Sequence, residues 1–187
     1  SSALIWATFC ECDFGLAGVE HLVCYAVKAN SNLAVLEVLS SLGAGFGIVS
    51  GGELARVIAA GGPAGRVIFS GVGKSVEEIR VAIAAGIRCF NVESESELEV
   101  LNEIAVAAGK LAPVSIRVNP DVDPKTHPYI STGLKGSKFG VPHDRVLDAY
   151  RRAAALPGLR IAGDRCPIGT QTHPPAPELV PTHRRAD

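Results

Sequence analysis

The chain has 187 residues, with 18 Lys plus Arg against 19 Asp plus Glu, a formal net charge of -1 and no methionine. Hydrophobic residues make up 47% and charged residues 20%, which excludes wholesale disorder and collagen-like or coiled-coil composition. The lack of a basic excess argues against a nucleic-acid or membrane-surface partner, and no apolar run approaches the ~20 residues that span a bilayer.

A translated reading frame begins with methionine, whereas this chain begins at Ser1, so either a processed product or, preferred here, a fragment of something longer is expected. The head lacks the basic-then-apolar order of a signal peptide. Five cysteines, Cys10, Cys12, Cys24, Cys89 and Cys166, are irregularly spaced without a CxxC pair. They read as free thiols in a reducing compartment, not as a metal site or disulfide framework.

Residues 1–21 show no clear period and stand apart as a head. From Leu22 onward, short β-branched runs alternate with Ala/Leu/Glu-rich stretches. Val23 to Lys28 leads into a helix carrying Leu33, Leu36, Val38 and Leu39. Phe46 to Ser50 precedes a helix from Glu53 to Ala60, Arg66 to Ser70 one from Val76 to Ala85, and Arg88 to Val92 one from Glu95 to Ala108. Val114 to Asn119 is followed by a long polar loop, Asp121 to Val141. A helix from about Asp144 to Leu156 and a sixth run from Leu159 to about Ala162 complete the series.

Strand ends recur about every 20 to 27 residues, the length of a strand plus a crossover helix, which implies βαβ units and a parallel sheet. A doubly wound sheet and a (β/α)8 barrel both fit, though a full barrel takes ~250 residues. Either architecture gathers ligand sites at the carboxyl ends of the strands. The last segment, 172–187, carries four of the chain's 12 prolines and two histidines, and reads as a disordered tail.

Several residues at the strand ends carry possible chemistry. Lys28 closes the first run, where alternation sets Cys24, Ala26 and Lys28 on one face. A lysine above small neighbours is partly desolvated, which favours its neutral, nucleophilic amine; the plainer reading is a strand end reaching solvent. Arg117 shares a face with Ser115 and Asn119, and suits either an anion or an ion pair with Glu53 or Glu93. Ser70-Gly71-Val72-Gly73-Lys74-Ser75 lacks the spacing of a P-loop, so tight βα turns with caps such as Ser75 are expected instead. His127 and His143 have no partner at metal spacing, and no metal site is expected.

Taken together, Tyr25-Ala26-Val27-Lys28-Ala29-Asn30-Ser31-Asn32, Ser50-Gly51-Gly52-Glu53-Leu54, Phe69-Ser70-Gly71-Val72-Gly73-Lys74, Phe90-Asn91-Val92-Glu93-Ser94 and Arg117-Val118-Asn119-Pro120-Asp121-Val122 resemble the diaminopimelate decarboxylase family. Thr126-His127-Pro128-Tyr129-Ile130-Ser131-Thr132-Gly133 and Lys138-Phe139-Gly140 narrow the likeness to that branch among the alanine-racemase-like decarboxylases. The resemblance covers 22–171. It implies a pyridoxal-phosphate-binding barrel followed by a β-rich domain, present here as a partial (β/α)8 TIM-type barrel of about six strand–helix units without the final strands.

What the resemblance implies further is a cytoplasmic homodimer acting on a small amino acid, meso-diaminopimelate, to give lysine. Lys28 would be the catalytic residue that holds the cofactor, Arg117 would lie near it, and Thr170 would stand where the family has a phosphate-associated serine. Three departures accompany the match. Gly47 takes the place of an aspartate, Pro167 that of a ring-stacking histidine, and the likeness stops after Gln171, before the residues that complete the family's site. The chain by itself is therefore expected to be inactive or nearly so. The alternatives are a non-catalytic cofactor-binding or regulatory paralogue, and an ornithine or arginine decarboxylase of the same fold.

Overall fold

A computed structural model of the chain describes residues 2–119 and 140–165. The chain-order elements are α1 (Ser2–Gly15), β1 (Cys24–Ala26), α2 (Leu33–Ser41), β2 (Gly45–Ile48), α3 (Gly51–Ala59), β3 (Val67–Phe69), α4 (Val76–Ala85), β4 (Cys89–Val92), α5 (Glu95–Ala107), β5 (Ala112–Asn119), β6 (Val141–Pro142), α6 (Val146–Ala155) and β7 (Leu159–Arg165). Six strands form one parallel sheet in the order β1-β2-β3-β4-β5-β7, and the two-residue β6 adds to the far end of β5. Each strand thus pairs with the next across an intervening helix, the connection a parallel sheet requires. Among the described residues β1 and β7 each pair on one side only.

The period of two divides every strand into an outer and an inner row. The outer row contains Phe46, Ile48, Val67, Phe69, Phe90, Val92, Val114 and Ile116, all inaccessible to solvent. Facing them are the buried stripes of the helices: Leu36 and Leu39 from α2, Leu54 and Val57 from α3, Ile79, Ala82 and Ile83 from α4, and Leu98, Leu101 and Ile104 from α5. Phe69 and Phe90 stack with ring centroids 6.1 Å apart and planes inclined by 25°. Burying each such ring contributes about 1.5–3 kcal/mol, so this layer between sheet and helices is the core. The inner row is different in kind: Cys24, Gly45, Gly47, Ile68, Ser70, Cys89, Asn91, Ser115 and Arg117 are mostly small or polar.

The head is helical. Its apolar residues fall on all sides of α1, which is why no period is visible in sequence: Ile5 and Phe9 pack toward the core, while Leu4, Trp6 and Phe14 are exposed. Beyond α1, the His21 ring sits between the Val19 carbonyl at 2.7 Å and an Asp13 carboxylate oxygen at 3.0 Å. With an acceptor at both nitrogens, the Val19 carbonyl first and Asp13 second, its pKa is raised. The first strand is shorter than alternation suggested. It ends at Ala26, and Lys28 lies in a 3-10 turn, Val27–Ala29. The proline-rich tail, Thr170 and Pro167 fall outside the described residues, as does most of the loop 121–141.

Two glycines of β2 make a paired test. A Cβ on Gly45 would lie 2.6 Å from Cys24 Sγ, 2.9 Å from Leu22 Cδ2 and 3.0 Å from the Arg66 carbonyl oxygen, whereas on Gly47 it would meet nothing nearer than the Tyr25 carbonyl oxygen at 3.8 Å. Gly45→Ala is expected to destabilise by about 1–3 kcal/mol through overpacking. Gly47→Ala is expected to be neutral or to stabilise by about 0.4–1 kcal/mol by restricting the unfolded chain. Urea denaturation of the two variants checks both; equal midpoints would contradict the packing assigned to β2.

Candidate active site at the carboxyl ends of the strands

Lys28 is presented by a turn that its own neighbours pin in place. Buried Val27 anchors the turn from below. The Tyr25 hydroxyl donates to the Asn30 carbonyl at 3.2 Å, the Asn30 side chain accepts from the Asn32 amide at 3.0 Å, and the Asn32 side chain caps α2 by accepting from the Ala34 amide at 2.9 Å. Arg56 reaches across from α3 to donate to the Ser31 carbonyl at 3.2 Å. A polar segment that would otherwise fray is fixed by its own side chains, which explains why Tyr and two Asn surround the lysine. Lys28 itself is exposed rather than desolvated, and its ammonium has no hydrogen-bond or ion-pair partner among the described residues.

Arg117 lies on the inner row of β5, as alternation predicts. Its Nη1 donates to both carboxylate oxygens of Glu93, at 3.0 and 3.2 Å. The two side chains are only 12% and 4% exposed, so this is a largely desolvated pair at the ends of β4 and β5. Of the two carboxylates weighed from sequence, Glu93 is the partner. Glu53 instead accepts from the Val49 amide at 2.7 Å. Between Lys28 and Arg117 the inner row offers an amide–hydroxyl pair, with Asn91 Nδ2 donating to Ser70 Oγ at 2.8 Å.

Below these strand ends the inner row lines a cleft of about 710 Å3, walled by Cys24, Ile68, Cys89, Asn91 and Ser115, with Arg88 and Arg160 at its other mouth. Burial pushes the Cys89 thiol up to about 11 against the pull of Arg160, Arg88 and Lys74, so it is a neutral wall and not a nucleophile. Among the described residues Cys10, Cys12, Cys24 and Cys89 are free thiols, and Cys166 lies outside them. No group of three or more His, Cys, Asp or Glu residues is placed to hold a metal among the described residues.

The glycine-rich turn after β3 is structural. Ser75 and Glu78 form a reciprocal capping box on α4, and Lys74 is turned inward with its side chain 1% exposed. Neither Lys74 nor Asn91 stood out from sequence as a site residue. The signal available for Lys74 was a lysine after Gly71 and Gly73 with a Ser-x-x-Glu cap ahead of it.

The chemistry of the donor set suits an anionic aldehyde cofactor: a primary amine on a rigid turn, a guanidinium and an amide–hydroxyl pair, around floor positions occupied by glycine. At Gly47 the space for a side chain is open.

Residues 7–177 match the family model described as pyridoxal-dependent decarboxylase, pyridoxal binding domain. The chain is 54% identical over 171 residues to diaminopimelate decarboxylase of Neisseria meningitidis serogroup B, covering 91% of this chain and 41% of the relative. Against the enzyme of that name from Pseudomonas aeruginosa it is 60% identical over 156 residues, covering 83% and 38%. It superposes on diaminopimelate decarboxylase from Helicobacter pylori complexed with L-lysine with a TM-score of 0.89, at 43% identity and 91% and 43% coverage. The chain spans about two-fifths of the length of these relatives, in keeping with the partial barrel that the family resemblance implied.

Glu78 provides a pH test of the strand-end caps. Its carboxylate accepts from the Gly51 amide at 2.7 Å and from the Ser75 amide and hydroxyl at 3.0 and 2.9 Å, and these bonds, the Gly51 amide first, lower its pKa. The folded-state pKa lies below the unfolded one, so the stabilisation is complete above the ordinary glutamate range and is lost as pH falls through the lowered value. Glu78→Ala is expected to cost about 1 kcal/mol at neutral pH, with the gap to the native chain closing in acid. Thermal melts of both proteins across that range measure the gap, and a pH-independent gap would remove the assigned cause.

Proposed function

The chain belongs to the pyridoxal-binding domain family of the pyridoxal-dependent decarboxylases, and on that premise we propose that it is the barrel part of an enzyme that decarboxylates meso-diaminopimelate to lysine. The observation that carries the reading is Lys28: a primary amine without a partner among the described residues, on a turn held by the Tyr25–Asn30–Asn32 hydrogen bonds at the end of β1. Pyridoxal phosphate, when bound, supplies an electron sink conjugated to the substrate's amino-bearing carbon. Lys28 Nζ would be the group that holds the cofactor through its aldehyde, a role open to an exposed primary amine on this turn. Arg117, oriented by Glu93, would present guanidinium donors at the end of β5 on the same rim, for the anionic cofactor. Thr170 is assigned the phosphate on the resemblance alone, as are a homodimeric assembly and a cytoplasmic setting. No described helix is long and apolar enough to cross a membrane.

A second reading, a paralogue that binds the cofactor without turning over, is favoured by Gly47. The backbone there leaves room for a side chain, so the carboxylate that the family resemblance places at this position is missing for a reason other than space.

Covalent trapping tests the proposal. Incubation of the purified chain with pyridoxal phosphate, borohydride reduction and peptide mapping by mass spectrometry are expected to place the label on Lys28, and Lys28→Ala to lose it. Label spread evenly over the lysines would refute the assignment. An increased yield in Gly47→Asp would support the second reading, because a restored carboxylate would then be improving a site that is otherwise intact.

A further inference from the structure

Lys74 carries a charge turned away from solvent, and the proposed chemistry makes no direct use of it. Its side chain is 1% exposed, and all three of its N–H donors are engaged: the Gly71 carbonyl at 2.7 Å, the Asn91 carbonyl at 2.8 Å and Glu97 Oε1 at 2.6 Å. Its ammonium also lies 5.8 Å from the centroid of the Phe69 ring. One side chain thereby joins the turn after β3, the end of β4 and the first turn of α5.

The bonding continues past Glu97. The other carboxylate oxygen of Glu97, which is 14% exposed, accepts from the Glu93 amide at 2.9 Å. Glu93 in turn holds Arg117 Nη1 with both of its oxygens. The series Lys74, Glu97, Glu93, Arg117 runs from one buried cation to another through two carboxylates. Within this series, removing the Lys74 charge would leave Glu97 as the carboxylate that has lost its cation. It would then either take a proton or compete for Arg117, and each course shifts Glu93.

We propose that Lys74 is a positioning residue for Arg117, acting through Glu97 and the Glu93 backbone amide. The role given to Arg117 rests on the cofactor site proposed above, whereas the coupling along the chain of four residues does not. Lys74 touches no reacting atom. It fixes the strand end from which Arg117 is aimed, and it grips the backbone of Asn91, whose side chain faces the same interior toward Ser70.

The test separates positioning from stability. Lys74→Met alone strands a buried carboxylate and is at risk of unfolding, so the informative variant is Lys74→Met with Glu97→Leu, which replaces the pair by apolar side chains of similar size. Such replacements commonly preserve folding. In the 187-residue chain without cofactor, two NMR readouts apply: hydrogen exchange of the Glu93 amide and the ordered guanidinium signals of Arg117. With a melting point near that of the native chain, the double variant is expected to exchange the Glu93 amide roughly tenfold faster or more, as befits the loss of a charge-assisted hydrogen bond, and to broaden the Arg117 signals. Unchanged exchange and unchanged Arg117 signals would overturn the proposal whatever the cofactor does. Pyridoxal phosphate binding, read by equilibrium dialysis, supplies the second arm. Weaker binding in the double variant than in the native chain supports the consequence for the site, and equal binding overturns it. If the native chain itself binds none, the cofactor reading fails while the NMR result still decides the coupling. If the double variant does not fold, Glu97→Gln takes its place. There the amide group cannot serve both Lys74 and the Glu93 amide as acceptor, and the same two signals must move for the proposal to stand.

Discussion

The two-residue period of the strand is the constraint from which the rest of this structure follows. Each strand must bury one row under helices and present the other inward. The outer row of β2, β3 and β4 satisfies the first demand with one phenylalanine on each strand, Phe46, Phe69 and Phe90, none accessible to solvent, with Phe69 and Phe90 level with each other. Once that layer is set, the inner row is left without a packing duty and accepts glycine, serine, asparagine and arginine. A site with amine, amide, hydroxyl and guanidinium groups is possible on the inside only because the hydrophobic work is done on the outside.

The parallel arrangement adds a second demand, since every helix begins where a strand has just ended and brings unpaired amides to the same rim. Three of the turns meet it with one device: serine at the helix start and glutamate three residues on, in Ser50 with Glu53, Ser75 with Glu78 and Ser94 with Glu97. The glutamates do more than close their own helices. Glu53 accepts from the Val49 amide, Glu78 from the Gly51 amide of the neighbouring unit, and Glu97 from the Glu93 amide. The caps therefore stitch each strand end to its helix and, through Glu78, one βα unit to the next. This is the rim on which Lys28 and Arg117 stand.

Much of this was legible in sequence because it is governed by local pattern. The strand–helix rhythm, the inner position of Arg117 and the cap at Ser75 depend on period and spacing alone. The head was not legible, because the apolar residues of α1 surround the helix and cancel any period while Ile5 and Phe9 alone find the core. The end of β1 was misjudged for a related reason: Val27 and Lys28 continue the alternation in letters, but the chain leaves the sheet at Ala26 to make the turn that hydrogen bonds of Tyr25 and Asn30 hold. The partner of Arg117 was narrowed to two carboxylates and decided by tertiary geometry, since Glu53 is drawn to the Val49 amide. The burial of Lys74 is likewise invisible in sequence, because its three acceptors come from three different segments.

That burial raises the question of what an inward lysine is for. Two charges removed from water lose solvation that their mutual attraction only roughly repays, so a buried pair such as Lys74 with Glu97 is a poor device for stability. Its geometry is a good device for specificity of position, because a primary ammonium with three engaged donors has one arrangement and tolerates no other without stranding a donor. The acceptors it selects are the carbonyls of Gly71 and Asn91 and the carboxylate of Glu97, and together they define where β4 ends relative to α5. The next bond in the series falls on Glu93, whose carboxylate meets Arg117 in a setting nearly as dry. A packed apolar pair would hold the same elements together but would leave the Glu93 amide without its acceptor and the strand end free to slide. The lysine is therefore better understood as defining the direction of Arg117 than as holding the sheet and helices together.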